Sequence, residues 1–201
     1  MCNLGIQWKN HEVNQYWDEY IEIARNCGYK LLSWNVWDKL MCGSIGQQKA
    51  FFPNRHEWIF VFGTEFFEIN QTWEKKPENI KESRRRGVRQ QDGTMTVTNT
   101  GDMTNKYKQM ESVLPMHAEM GQIRSLHPAT FPVGLPSEYI QAMSDKDDIV
   151  IEPFCGSGTT LIACEQTGRI CYGMELEPKY VDVIIDRWEQ FTGEKAVLLN
   201  V

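Results

Sequence analysis

The twelve residues Ile149 to Thr160 (IVIEPFCGSGTT) concentrate the residue types that could do chemistry. The first half is apolar over strand length, and Gly156 and Gly158 then flank Ser157 just before Thr159, where a helix can begin. Glycines at such a corner let a ligand approach the backbone closely, and the first N–H groups of the helix are free to meet an anion. In an open parallel sheet this corner lies at the carboxyl ends of the strands, where ligands bind. Glu175 closes the next apolar stretch (RICYGMEL), where a carboxylate can accept the two hydroxyls of a ribose. Taken singly, GSGTT is also an ordinary tight turn and Glu175 a solvated strand end; as a pair they point to a nucleoside-bearing cofactor. A triphosphate loop would need GxxxxGK[ST], and no lysine follows these glycines. A nicotinamide site would prefer GxGxxG, whose third glycine is replaced by Leu161. Glu152 would repel a pyrophosphate but suits a cationic sulfonium or an amino group.

The elements that must hold this corner follow from periodicity. DDIVIEPF reads as a strand, LIACEQTG as a helix, RICYGMEL as a strand, EPKYVDVIIDRWEQF as a helix and KAVLLNV as a third strand. Strand–helix–strand–helix–strand at these lengths predicts a right-handed parallel α/β sheet. Upstream, HPATFPVGLP leads into a helix over Pro136 to Met143. CNLGIQ is a short strand, and Val13 to Cys27 form an amphipathic helix closed by Gly28. Lys30 to Trp37 and Glu57 to Gly63 are strands, the second apolar enough to be covered on both faces, and residues 40–56 are a loop. From Phe66 to Leu126 the periodicity vanishes, and a loop-rich insertion is expected.

The chain of 201 residues is 41% hydrophobic and 24% charged, the mixture of one ordinary globular domain with a possible insertion. No apolar run reaches the ~18 residues that cross a bilayer, and MCNLGIQWKNHE has no signal-peptide pattern. Six cysteines without CxxC or zinc spacing fit reduced thiols of a cytoplasmic protein. The four histidines have no ligand spacing, so no metal is expected. The net charge of −6 argues against nucleic acid on average but hides a pattern: residues 127–201 carry 5 basic and 12 acidic side chains, residues 66–126 carry 10 and 8. Within the latter, Lys75 to Arg89 holds 7 basic and 2 acidic residues. Local charge is the relevant quantity for a polyanionic partner.

With these residues in view, HPATFPVGLPSEYI followed by DIVIEPFCGSGTTLIACEQTGRICYGMELEPKYVDVIIDR resembles the permuted (β-class) DNA amino-methyltransferases. LSWNVWDK and NRHEWIFVFG resemble earlier strands of that family, so the likeness reaches Met1. The resemblance implies a Rossmann-like α/β methyltransferase sheet with helices on both faces, circularly permuted, with a loop-rich inserted target-recognition region. It divides the chain into the C-terminal part of the catalytic subdomain (1–65), the recognition insertion (66–126) and the S-adenosylmethionine-binding subdomain (127–201). It implies methyl transfer from S-adenosylmethionine to adenine N6 or cytosine N4 in double-stranded DNA, in a restriction–modification or phage setting. Carried over position by position, Glu152, Pro153, Phe154, Gly156, Ser157, Gly158, Thr159 and Thr160 form the cofactor turn and Glu175 holds the ribose. His127, Pro128, Phe131, Pro132 and Leu135 pack beside the methionine end. Glu152 stands where Asp is usual.

One part of the pattern is absent. The family's catalytic tetrapeptide, (D/N/S)PP(Y/W/F), accepts hydrogen bonds from the target amino group and stacks on the flipped base. No Pro-Pro dipeptide occurs in the chain, so no catalytic residue is assigned. The expectation is that the tetrapeptide and a central strand lie upstream of Met1 or on a second chain. The alternatives are a split or truncated remnant that binds cofactor or DNA without activity, and a small-molecule methyltransferase with no use for a basic insertion. Lys75, Lys76, Lys81, Arg84, Arg85, Arg86 and Arg89 are the candidate phosphate contacts, or else a solvated surface. Trp37-Asp38-Lys39 reads as a strand end facing the base or DNA, and His56-Glu57 as structural.

Overall fold

Lys30–Asp38 and His56–Gly63 are long strands of β-branched and aromatic residues, and their alternation decides which helices they can take. The computed structural model describes residues 1–10, 12–40, 55–74, 84–90, 92–100, 106–118 and 130–199, with the backbone only at residues 8, 84–89 and 97–100. The order is β1 (Cys2–Leu4), β2 (Gln7–Lys9), β3 (Glu12–Asn14), α1 (Tyr16–Asn26), β4 (Lys30–Asp38), β5 (His56–Gly63), β6 (Gln71–Glu74), β7 (Arg84–Arg89), β8 (Met95–Thr100), β9 (Tyr107–Gln109) and β10 (Val113–Pro115). It continues with α2 (Gly134–Met143), β11 (Ile149–Glu152), α3 (Thr159–Thr167), β12 (Ile170–Gly173) and α4 (Pro178–Thr192).

The main sheet has the order β1-β5-β4-β10, with β10 parallel to β4 and the other pairs antiparallel. On one face Trp37, Ile59, Val61 and Leu114 pack against Leu135 and Tyr139 of α2. Asn35 joins them by donating Nδ2 to the Tyr139 hydroxyl at 2.8 Å. Burial pushes that phenol up to about 12, so it stays protonated. On the other face Phe60 packs against Trp17 and Ile21, one helical turn apart on α1, with Trp58 edge-on to Trp17 at 4.4 Å. The expected cover on both faces of the second long strand is therefore present: Ile59 faces α2 and Phe60 faces α1, both fully buried.

A second, two-stranded sheet pairs β11 with β12 in parallel, from Ile149↔Ile170 to Glu152↔Gly173. The connecting α3 makes the strand–helix–strand unit expected of such a pair. Ile140 of α2 packs with Ala163 and Cys164 of α3, with Val150 and Cys171 against them, so α2 lies on both sheets.

Three expectations change. The first helix starts at Tyr16, because Val13 lies in β3 of a hairpin with β2, turning at Asn10 with φ 53°. The stretch 66–126 contains strands where irregular chain was expected: β6 pairs with β9, β7 with β8, and β10 enters the main sheet. Their three to six residues are too short, and at Leu114 too locally apolar, to show a period. KAVLLNV forms no strand over its described residues. The chain reverses at Gly193 (φ 77°), and Glu189 at the end of α4 accepts the Ala196 N–H at 3.0 Å and Lys195 Nζ at 2.5 Å. Those bonds tie the segment to the helix end and leave Val197, Leu198 and Leu199 exposed.

Candidate cofactor site

The corner between β11 and α3 is built by two glycines in the left-handed region, Gly156 (φ 52°) and Gly158 (φ 78°). Gly158 is the N-cap of α3, and its N–H closes the turn on the Cys155 carbonyl at 2.7 Å. A Cβ at Gly158 would also press on Ile184 of α4 at 3.1 Å, so the helix packs where only glycine leaves room. Gly173 at the end of β12 is under a stronger constraint, since a Cβ there would meet Cys155 Sγ at 2.3 Å. Burial pushes the Cys155 thiol up to about 11, helped by the nearby Cys171, Glu152 and Glu175 charges.

Both acids that the sequence singled out grip this corner. Glu152 accepts the Phe154 N–H at 3.0 Å through Oε1 and the Thr160 hydroxyl at 2.8 Å through Oε2. Glu175 accepts the Gly156 N–H at 2.7 Å through Oε2 and the Glu177 N–H at 3.0 Å through Oε1. Glu175 lies two residues beyond β12, and its bond to Gly156 ties the two strand ends together. These bonds orient the Glu175 carboxylate at the mouth of the corner. Ser157, Thr159 and Thr160 are buried under the turn. Pro153 and Phe154 project outward, with the Phe154 ring almost fully exposed.

Sequence reasoning missed Arg187. From α4 its Nη1 donates to the Ser157 carbonyl at 2.5 Å, to Ser157 Oγ at 3.1 Å and to Thr159 Oγ1 at 3.4 Å. The glycine turn is thus pinned from beneath as well as by the acids. The usable signal was helical spacing: Ile184 and Arg187 fall on one face of α4, three residues apart, and both reach the turn.

The structure does not gather the other candidates at this corner. Leu135 is fully buried in the α2 core and Phe131 packs against the same cluster, while the Pro132 carbonyl accepts the Leu135 N–H at 2.9 Å. His127 and Pro128 lie outside the described residues, as do Lys75, Lys76 and Lys81. Arg84, Arg85, Arg86 and Arg89 sit on β7, whose backbone pairs with β8 from Arg84↔Thr100 to Arg89↔Met95. At the end of β4, Lys39 forms an ion pair with Glu57 and lies 5.0 Å over the Trp37 ring. Glu57 also accepts Asn3 Nδ2 at 2.9 Å, and Asp38 accepts the Leu40 N–H at 2.9 Å. These bonds join the ends of three strands, the structural part read for Glu57.

A parallel strand–glycine turn–helix with a carboxylate fixed beyond the next strand defines an α/β protein with a nucleoside-type cofactor corner. A family model described as DNA methylase, of the N6/N4 methyltransferases, matches residues 5–186, and the chain belongs to that family. The Type II methyltransferase M.Cfr9I of Citrobacter freundii is 44% identical over 75 residues, which are 37% of this chain and 24% of that protein. Among solved structures, the cytosine-N4-specific PvuII DNA methyltransferase superposes with TM-score 0.65 at 17% identity, over 95% of this chain and 66% of that one. The M1.HpyAVI–SAM complex gives TM-score 0.58 at 18% identity, over 87% and 70%. At these identities the two structures establish the fold. The chain spans about two-thirds of the length of each.

Proposed function

We propose that the chain is the cofactor-binding and DNA-recognising part of an S-adenosylmethionine-dependent DNA amino-methyltransferase. The observation that carries this is the Glu175–Gly156 bond, which presents a carboxylate and a glycine corner together without a phosphate-binding lysine. Bound S-adenosylmethionine supplies an electrophilic methyl group on a sulfonium. Glu175 accepts the ribose hydroxyls, Gly156 and Gly158 admit the nucleoside close to the backbone, and Glu152 sets a negative charge beside the cationic end. The acceptor is the exocyclic amine of adenine (N6) or cytosine (N4) in duplex DNA, flipped out of the stack. Lys75, Lys76, Lys81, Arg84, Arg85, Arg86 and Arg89 contact phosphates from the recognition region, 66–126, between the catalytic part (1–65) and the cofactor part (127–201).

The tetrapeptide that holds the target amine comes from polypeptide outside these residues, in the same protein or on a second chain. The likeness to the Type II methyltransferase M.Cfr9I and to the M1.HpyAVI–SAM complex supports the cofactor and a restriction–modification setting. Calorimetric titration with S-adenosylmethionine, with ATP and NAD as controls, tests the cofactor assignment. Binding of the first alone is expected, and its failure to bind sinks the reading. Tritium transferred from S-adenosylmethionine to unmethylated duplex DNA, once the chain is completed, identifies the acceptor; label on small molecules instead refutes it.

A further inference from the structure

A cavity of about 490 Å³ lies between the main sheet and the last turns of α2, and no residue of the glycine corner lines it. Its size falls within the about 300–1,000 Å³ of small-molecule sites. Val61 of β5 stands on the sheet side, and Ala142 and Met143 of α2 stand opposite. Residues 66–69 and 109–112 complete the lining, so the stretches of chain that lead into β6 and out of β9 both border it. Met110 and Met143 add flexible, polarisable side chains that can shape themselves to an apolar guest.

The polar groups of the lining are sorted by depth. Ser33 Oγ donates to Asn35 Oδ1 at 2.6 Å, and Asn35 Nδ2 donates to the Tyr139 hydroxyl at 2.8 Å. Asn35 is 5% exposed and Tyr139 2%, so these groups form the inner wall. The chain of donations ends on Tyr139: its phenol stays protonated, and its own proton meets no acceptor among the described residues. A buried donor left unspent is costly, and a guest with an acceptor atom there removes that cost. Phe66, Glu68 and Glu111 are exposed and form the mouth. Glu111 is paired with Lys108, which leaves Glu68 as the carboxylate at the mouth with no ion pair among the described residues. A carboxylate beside an aromatic ring favours a cation and repels an anion.

We propose that this cavity binds a small amphipathic amine, with an apolar ring as its body, one hydrogen-bond acceptor facing Tyr139 at the inner end and an ammonium beside Glu68 at the mouth. The site is separate from the cofactor corner and stands independently of the methyltransferase reading. The probe is para-methoxybenzylamine, titrated into the chain without cofactor or DNA, with affinity read by NMR and location by hydrogen exchange. para-Ethylbenzylamine lacks the acceptor, and para-methoxybenzoate reverses the charge. The methoxy amine is expected to bind and to slow exchange of amides in residues 66–69 and 109–112. It should bind about three- to tenfold more tightly than the ethyl amine, and the benzoate more weakly than either. Glu68→Gln should weaken both amines by about two- to fivefold. Tyr139→Phe should abolish the preference for the methoxy amine. That variant strands the buried Asn35 amide and is expected to melt lower, so the readout is the ratio of the two amines on the same variant, which lost stability alone does not move. Absence of saturable binding, protection elsewhere in the chain, equal affinity for the two amines, or a preference that survives Tyr139→Phe overturns the proposal. Benzoate binding as tight as that of the methoxy amine, or amine binding unchanged by Glu68→Gln, overturns it as well.

Discussion

Replacing Arg187 by alanine removes the pin beneath the cofactor turn. The guanidinium donates to the carbonyl of Ser157 at 2.5 Å, with Ser157 Oγ and Thr159 Oγ1 at 3.1 and 3.4 Å. Only the first of these distances belongs to a strong charge-assisted bond, worth about 1.5–3 kcal/mol; the others are weak. Ser157 is 4% exposed, so water cannot readily replace the lost donor. A loss of about 2 kcal/mol lowers the melting temperature by about 4–8 °C in a chain of this size. The consequence for the cofactor is more specific. If the 2 kcal/mol falls on the turn, the binding-competent turn becomes a minor state and the dissociation constant rises by up to about 30-fold. Arg187→Lys keeps the charge without the planar fork and is expected to recover part of the loss. Calorimetric titration with S-adenosylmethionine gives the affinity, and hydrogen exchange at Gly156 to Gly158 reports the turn directly. An Arg187→Ala chain that melts early but keeps wild-type affinity and wild-type exchange at the turn would show that Arg187 only braces α4, and the reasoning would be wrong.

Other expectations follow from the same corner. Gly173→Ala puts a methyl 2.3 Å from Cys155 Sγ and is expected to destabilise the chain by about 1–3 kcal/mol in urea denaturation; adding Cys155→Ala removes the clash and should restore most of it. Thr160→Val deletes the hydroxyl that Glu152 Oε2 accepts and is expected to cost about 1–2 kcal/mol, a value that Glu152→Gln, which keeps an acceptor oxygen, should not match. The Cys155 thiol rises from its ordinary 9.0 to about 11, so its contribution to stability is complete below about pH 9 and fades as pH climbs through 11. Iodoacetamide at pH 8.5 should therefore label exposed Cys27 quickly and buried Cys155 very slowly, as read by mass spectrometry of tryptic peptides. Arg84, Arg85 and Arg86 changed together to serine should flatten the salt dependence of DNA binding by about two to three phosphate equivalents, and an unchanged slope would remove that patch from the interface.

The glycine corner was legible because it is local: strand, glycine pair and helix occupy twelve consecutive residues, and an apolar stretch leads to Glu175 at crossover spacing. Local periodicity also gave α1, β4, β5 and α4 to within a few residues. What was hidden depends on contacts across the chain. Leu114 is a core residue inside an apparently irregular segment, because its neighbours in space are Trp37 and Tyr139 and its neighbours in sequence are not apolar for long enough to show a pattern. KAVLLNV has strand composition, but capture by Glu189 is a matter of geometry at one helix end. Arg187 looked like any helical surface charge until the turn it serves was placed above it. Gly173 looked like a permissive strand end, whereas the Cys155 thiol occupies the space its side chain would need.

These observations separate binding from transfer. The pins on the glycine turn traced above lie between Ile149 and Arg187: Glu152 and Thr160 on one flank, Glu175 on the other, Arg187 below and Ile184 packed against Gly158. Nothing in that set depends on residues outside that stretch, so the corner is preorganised, and a preorganised site binds at little ordering cost. Holding a weakly nucleophilic amine against the methyl donor is different. It is a separate requirement, on which none of these bonds bears. The 201-residue chain should therefore bind S-adenosylmethionine by itself, as calorimetric titration checks. A chain that fails to bind the cofactor by itself would mean that the corner is not self-sufficient, and that the turn geometry seen here is held by weaker forces than its hydrogen bonds imply.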